Sequence, residues 1–256
     1  MNYISDNLIE LILSYLNKKN SNNFLDSSTI FDHLKKKHYY LFLNQFESYK
    51  YFRYKKFRDL IKKKICSTRR QLCIDLSENN IMTVTEALNN VHTLNLSETY
   101  IKDISDLDNI ENLYLFRCHN LKSVNNLSNI HKLDLEGCIN LENINNLQNI
   151  HNLDLTLCKK ISNFSGIENI HNLNLSFTNI DNPKILEFVY KLDLERCIKI
   201  FNTYFLQNVY QLNITGCKNI YNINLLKNVN HLNISELEYY KTENMNNNIL
   251  INENPL

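Results

Sequence analysis

The apolar positions of this chain follow a period that fits neither a long helix nor a simple strand. Two Leu or Ile residues separated by one residue recur at Ile74/Leu76, Leu94/Leu96, Leu113/Leu115, Leu133/Leu135, Leu153/Leu155, Leu173/Leu175, Leu192/Leu194, Leu212/Ile214 and Leu232/Ile234. Successive pairs stand 20, 19, 20, 20, 20, 19, 20 and 20 residues apart. Within a pair the alternation puts both side chains on one face of a short strand. After each pair the apolar residues recur at three-residue steps, as at Leu141, Ile144, Leu147 and Ile150. That spacing suits 3₁₀ turns or tight bends better than α-helix. One such coil cannot bury its own apolar residues, so stability has to come from stacked neighbours. The pattern predicts a parallel sheet on a concave side and short turns on a convex side. Nine rungs at about 4.8 Å give a sheet on the order of 40 Å long.

The unit Ile130, Leu133, Leu135, Cys138, Leu141, Ile144 and Leu147 resembles the leucine-rich-repeat pattern L-x-x-L-x-L-x-x-N/C. The resemblance implies an α/β fold: a leucine-rich-repeat solenoid over 71–236, a small helical region over 1–70 and an Asn-rich tail over 237–256. It also implies that the concave face holds a protein target and that the chain performs no chemistry.

The N-terminal region adds a second resemblance. Ile4, Leu8, Leu11, Ile12, Tyr15 and Leu16 fit one face of an amphipathic helix, with Ser5 as its N-cap and Asp6 in the first turn. This stretch resembles the opening of an F-box, although Ser5 stands where the family has Pro. An F-box ahead of leucine-rich repeats implies a substrate receptor of a cullin-type ubiquitin ligase. In that comparison Leu8, Leu11, Ile12, Tyr15 and Leu16 bind the Skp adaptor, and other subunits ubiquitinate the target. A plain capping helix on a repeat module with no ubiquitin link is the alternative. The Asn- and Ile-rich repeats also resemble repeat proteins of giant viruses of amoebae, which implies action in a host cell.

Residues flanking the paired Leu positions are expected to point out of the concave sheet. Most are small and polar, with Asn95 typical. Tyr114 and Phe116 are the exception, two aromatics suited to anchoring a partner; the alternative is that the N-terminal helices cover them. Asp134, Glu136, Asp154, Asp193 and Glu195 form an acidic set suited to a basic partner or to ordinary solvation.

Five of the seven cysteines, Cys118, Cys138, Cys158, Cys197 and Cys217, share one repeat position, which Asn79, Thr99 and Thr178 take in other rungs. A linear ladder does not converge on a metal, so these are read as buried thiols donating to loop carbonyls. His92, His131, His151 and His171, with Tyr190 and Tyr210, precede the first strand Leu by two, and His231 closes the series. They are expected in a row at the corner leading into the sheet. No nucleophile or orienting carboxylate accompanies them, and the three glycines lie far apart, so no catalytic residue, metal or cofactor is expected.

Charge is divided unevenly. From Phe31 to Arg70, thirteen Lys or Arg stand against three acids, a net +10, whereas fifteen basic and twenty-four acidic residues elsewhere give −9. Within the basic stretch, Tyr39, Tyr40, Phe42, Phe46, Tyr49, Tyr51, Phe52, Tyr54 and Phe57 alternate with cations. The rings are expected to be the buried face of helices and the lysines their solvated side. Nucleic-acid binding through 31–70 ranks third among the functional readings. No run of about 18 apolar residues is present and the start has no basic leader, so a cytosolic or nuclear location without membrane contact is expected.

Overall fold

The computed structural model describes residues 40–68, 71–105, 107, 109–124, 127, 130–144, 147, 149–235 and 249–250. They build a parallel leucine-rich-repeat-like solenoid around one eleven-stranded sheet, with the strands in sequence order. The strands are β1 (Tyr40–Leu43), β2 (Gln71–Asp75), β3 (Thr93–Asn95), β4 (Asn112–Tyr114), β5 (Lys132–Asp134) and β6 (Asn152–Asp154). They continue as β7 (Asn172–Asn174), β8 (Lys191–Asp193), β9 (Gln211–Asn213), β10 (His231–Asn233) and β11 (Ile249–Leu250).

Register follows the repeat. Ile74, Leu94, Leu113, Leu133, Leu153, Leu173, Leu192, Leu212 and Leu232 pair in succession, each directly beside the next. Both members of every pair are buried, so a double column of aliphatic side chains runs beneath the sheet. Each fully buried Leu or Ile contributes about 1.5–3 kcal/mol relative to exposure, so the column, together with the equally buried apolar residues of the turns behind it, is the main source of stability. Opposite the sheet, the three-residue apolar steps become tight turns and short 3₁₀ segments at Glu86–Leu88, Pro183–Leu186, Tyr204–Leu206 and Ile223–Asn228.

One recurrent backbone feature bends the chain off each strand. Glu78, Glu98, Arg117, Gly137, Leu157, Phe177, Arg196 and Gly216, each four residues after the first Leu or Ile of its pair, have positive φ. Their N–H groups still donate to the next rung, as Arg117 N does to Glu136 O at 2.8 Å and Leu157 N to Ser176 O at 3.0 Å. The ladder therefore extends past the three strand residues.

Two strands lie outside the span the repeat predicts. In β1, Leu41 and Leu43 form a further L-x-L pair in register with Leu72 and Ile74. Two helices, α1 (Gln45–Arg53) and α2 (Lys55–Thr68), separate them from β2 and break the 20-residue period that would have revealed them. At the other end β11 pairs with β10, Ile249 beside Leu232, a step of 17 residues. Residues 40–43, expected within a helical region, thus belong to the sheet.

Candidate functional site

The outward face of the sheet is set by the residue between the paired Leu positions. In eight rungs it is Asn or Asp, and its side-chain oxygen turns back to accept from the backbone N–H two residues on. Asp75 takes Ser77 N, Asn95 takes Ser97 N, Asp134 takes Glu136 N and Asp154 takes Thr156 N. Asn174, Asp193, Asn213 and Asn233 take Ser176, Glu195, Thr215 and Ser235 N in the same way, all eight contacts being 2.9–3.3 Å. These are Asx turns, which close the bend leading to the positive-φ residue. Cross-rung bonds continue the network: Asn213 Nδ2 donates to both Asp193 oxygens at 3.0 and 3.1 Å, and Ser176 Oγ donates to Asp193 Oδ1 at 2.8 Å.

The sequence-selected face residues therefore divide. Asn95, Asp134, Asp154 and Asp193 each commit an oxygen to a turn. Tyr114 is the exception in this series, a half-buried ring in β4 in place of an Asx side chain, followed by half-buried Phe116. A cation rests on each ring: Lys132 Nζ lies 5.0 Å from the Tyr114 centroid and the Arg117 guanidinium 4.7 Å from that of Phe116. Of the described helices, α1 packs on β1 and β2 rather than on β4. The sequence signal for the Asx role was present, because Asn or Asp stands two residues before Ser, Thr or Glu in rung after rung.

Beside the aromatic pair, register brings Asp134 next to Asp154. Burial, then the neighbouring Asp154, holds the Asp134 carboxyl above its ordinary range despite the hydrogen bond from Glu136 N. Glu136 is raised by the same causes, burial first and then Asp154 and Asp134. Asp193 and Glu195 lie three rungs further on, where Glu195 is 3.9 Å from Arg196. The face thus joins two rings to a carboxylate group of negative potential. The adaptor-binding candidates Leu8, Leu11, Ile12, Tyr15 and Leu16 lie outside the described residues.

The cysteine ladder is internal. Each repeat cysteine donates its S–H to the second Leu carbonyl of the preceding rung: Cys118 to Leu96, Cys138 to Leu115, Cys158 to Leu135, Cys197 to Leu175 and Cys217 to Leu194, at 2.9–3.2 Å. In the 19-residue rungs, Thr99 and Thr178 donate instead to their own rung, to Leu96 and Leu175 at 2.7 and 2.6 Å. Burial pushes the Cys158 and Cys217 thiols up to about 12 and Cys197 to about 11.

The corner row is a continuous ring stack. His131, His151, His171, Tyr190 and Tyr210 lie nearly parallel, with successive centroids 4.8, 4.5, 4.5 and 4.6 Å apart. His231, one residue before Leu232 rather than two, meets Tyr210 at 69° and ends the stack. Glu111 interrupts it at the other end, where its carboxylate lies 2.9 Å from His92 Nε2. Among the described residues no group of three or more His, Cys, Asp or Glu is arranged to hold a metal ion. No described helix is long and apolar enough to cross a membrane.

Comparison with known proteins supplies no family. No protein-family model matches the chain, and no curated protein matches it. Among solved structures, an internalin from Listeria monocytogenes aligns over 65% of this chain and 56% of its own length, at 18% identity and a TM-score of 0.35. The chain spans little more than half of that protein. The fold assignment rests on the repeat and the sheet themselves.

Proposed function

We propose that this protein is a non-catalytic interaction module that holds a protein target on the outward sheet face of β4 to β6. The supporting observation is the pair Tyr114 and Phe116, half-exposed rings at a place where other rungs turn a polar side chain inward to close a bend. Aromatic anchors bordered by polar groups are the usual centres of binding energy in protein interfaces. Asp134 and Glu136 beside them, whose carboxyls are raised by burial first and by neighbouring carboxylates second, favour a partner segment bearing Lys or Arg, whose charge would offset both effects. Five unpaired repeat thiols suit a reducing compartment such as cytosol or nucleus. The test is affinity capture with wild type and with Tyr114→Ala/Phe116→Ala. A partner retained by wild type and lost by the variant, at equal melting temperature, supports the reading. Equal retention by both moves the interface elsewhere.

The segment ahead of β1 extends this proposal. Its resemblance to an F-box opening favours a receptor that holds the Skp adaptor through Leu8, Leu11, Ile12, Tyr15 and Leu16 and presents the bound target to a cullin ligase. That step rests on sequence alone. Purified Skp adaptor is expected to bind wild type and not Leu8→Asp/Leu11→Asp; no binding to folded wild type would remove the ligase role and leave the module.

A further inference from the structure

The sequence places the rings of the basic stretch on the buried face of helices, and for four of them the structure does the reverse. Phe42, Phe46 and Tyr54 are 61%, 55% and 59% exposed, and Tyr49 is exposed as well. For Phe46 and Tyr49 the cause is the order of residues along α1, whereas Phe42 lies in β1 and Tyr54 caps the end of α1. Ser48 and Tyr51 form its inner face and are almost fully buried, whereas Phe46, Tyr49, Lys50 and Arg53 fall at helical spacing on the outer face. Ring and cation are interleaved there, with Lys50 Nζ 4.1 Å from the Phe46 centroid.

The platform beneath is fixed. Asn44 and Glu47 form a reciprocal capping box at the start of α1. The Ser48 hydroxyl donates to Leu43 O at 3.1 Å and accepts from Asp75 N at 3.0 Å, which ties α1 to β1 and β2. Arg58 donates to the Tyr51 and Phe52 carbonyls at 2.8 and 3.0 Å, joining α2 to the end of α1. Along α2, Phe57, Ile61 and Ile65 pack against the core, leaving Lys55, Lys56, Lys62 and Lys63 exposed.

We propose that the outer face of α1, with the exposed lysines of α2, is a binding surface for single-stranded nucleic acid. Phosphates lie on the cations and bases stack on Phe46 and Tyr49. Two features favour this occupant. The surface belongs to the segment from Phe31 to Arg70, which carries +10 while the remainder of the chain carries −9, so a polyanion is complementary to it. The exposed rings meet a need that an acidic protein segment leaves unfilled, because every base offers a π-face. The surface is separate from the Tyr114/Phe116 face, and failure at either leaves the other standing.

The experiment is fluorescence anisotropy of labelled oligo-uridylate and oligo-thymidylate with the full chain, run beside flotation on phosphatidylserine vesicles. Wild type is expected to bind both oligonucleotides, with log affinity falling against log salt at a slope of about −3 if four or so phosphates are engaged. Phe46→Ala/Tyr49→Ala is expected to weaken binding by about tenfold or more with the slope retained. Lys50→Glu/Arg53→Glu is expected to weaken binding and flatten the slope. Tyr114→Ala/Phe116→Ala is expected to leave both unchanged. The rings replaced are exposed and outside the core, so an unchanged melting temperature separates loss of binding from loss of fold. Absent oligonucleotide binding at about 50 mM salt overturns the proposal. So does binding indifferent to the ring substitutions, or attachment to vesicles alone.

Discussion

At the scale of single residues, the turn after each strand concentrates both strain and information. An L-residue in the left-handed region costs roughly 1–2 kcal/mol, and only Gly137 and Gly216 avoid that cost among the eight turn positions. A Cβ at Gly137 would stand 3.0 Å from Arg117 Cγ, a flexible neighbour able to shift slightly. Gly137→Ala is therefore expected to destabilise by about 1–2 kcal/mol. Leu157→Gly, at φ +65°, is expected to stabilise by up to about 1 kcal/mol, since unfolded-chain entropy offsets part of the relief. Denaturant melts of the two variants check the opposite signs. The same turns explain a limit of the sequence reading. Asn95, Asp154 and Asp193 look like an outward binding set by alternation alone, which reports direction but not whether a side chain curls back onto the backbone. The thiols were legible, because a position shared by Cys, Thr and Asn demands a small donor. With Cys73 and the five repeat thiols buried and Cys66 exposed, a disulfide-exchange reagent at pH 8 is expected to modify one cysteine rapidly in the native protein. All seven are expected to react after denaturation. Rapid modification of several thiols in the folded chain would contradict the closed ladder.

At the scale of elements, the ring stack is a place where register has an electrostatic consequence. In-register parallel pairing of β5, β6 and β7 sets His131, His151 and His171 side by side at the corner, and their rotamers bring the rings face to face. Loss of hydration, then the flanking His171 and His131, push the His151 imidazole below its usual value. The unfolded chain takes up this proton near the ordinary imidazole value of about 6.5. The folded chain does so at lower pH, so the unfolded state binds more protons in between. Stability contributed by this group is thus complete above about pH 6.5 and is lost as pH falls through the folded value. Asp134 and Glu136 act oppositely: their raised folded values add stability as they protonate closer to the carboxylate range, so the loss belongs to the imidazole window. Melting temperature is expected to drop between pH 7.5 and 5.5, and His151→Phe, which keeps an uncharged ring in the stack, is expected to reduce the drop. An equal drop in both proteins would assign the acid sensitivity to other groups. The row itself was readable from sequence as a recurrent position. Its stacking was not, since that depends on rotamers the spacing does not specify.

At the scale of the whole molecule, a solenoid is held by nearest-neighbour contacts, so its ends matter more than in a globular domain. The nine regular rungs were legible because their period survives; β1 was not, because α1 and α2 sit inside what would have been one coil and stretch the Leu43-to-Ile74 step to 31 residues. The structure makes that insertion the connector at the N-terminal end of the sheet. Ser48, with no exposed surface, is its joint, since one hydroxyl serves both the Leu43 carbonyl and the Asp75 N–H. Ser48→Ala removes both partners while adding no bulk, leaving a buried donor and acceptor unsatisfied, a cost of about 1–3 kcal/mol. In a nearest-neighbour array such a cost is not spread evenly. Amide hydrogen exchange is expected to accelerate in α1, β1 and β2 and to remain near wild type from β5 onward. Leu135→Ala, a fully buried side chain in the middle of the array, is expected to cost about 2–5 kcal/mol and to raise exchange on both sides of β5. If Ser48→Ala instead accelerates exchange uniformly along all the rungs, the array unfolds as one unit and the N-terminal insertion governs the stability of the whole sheet.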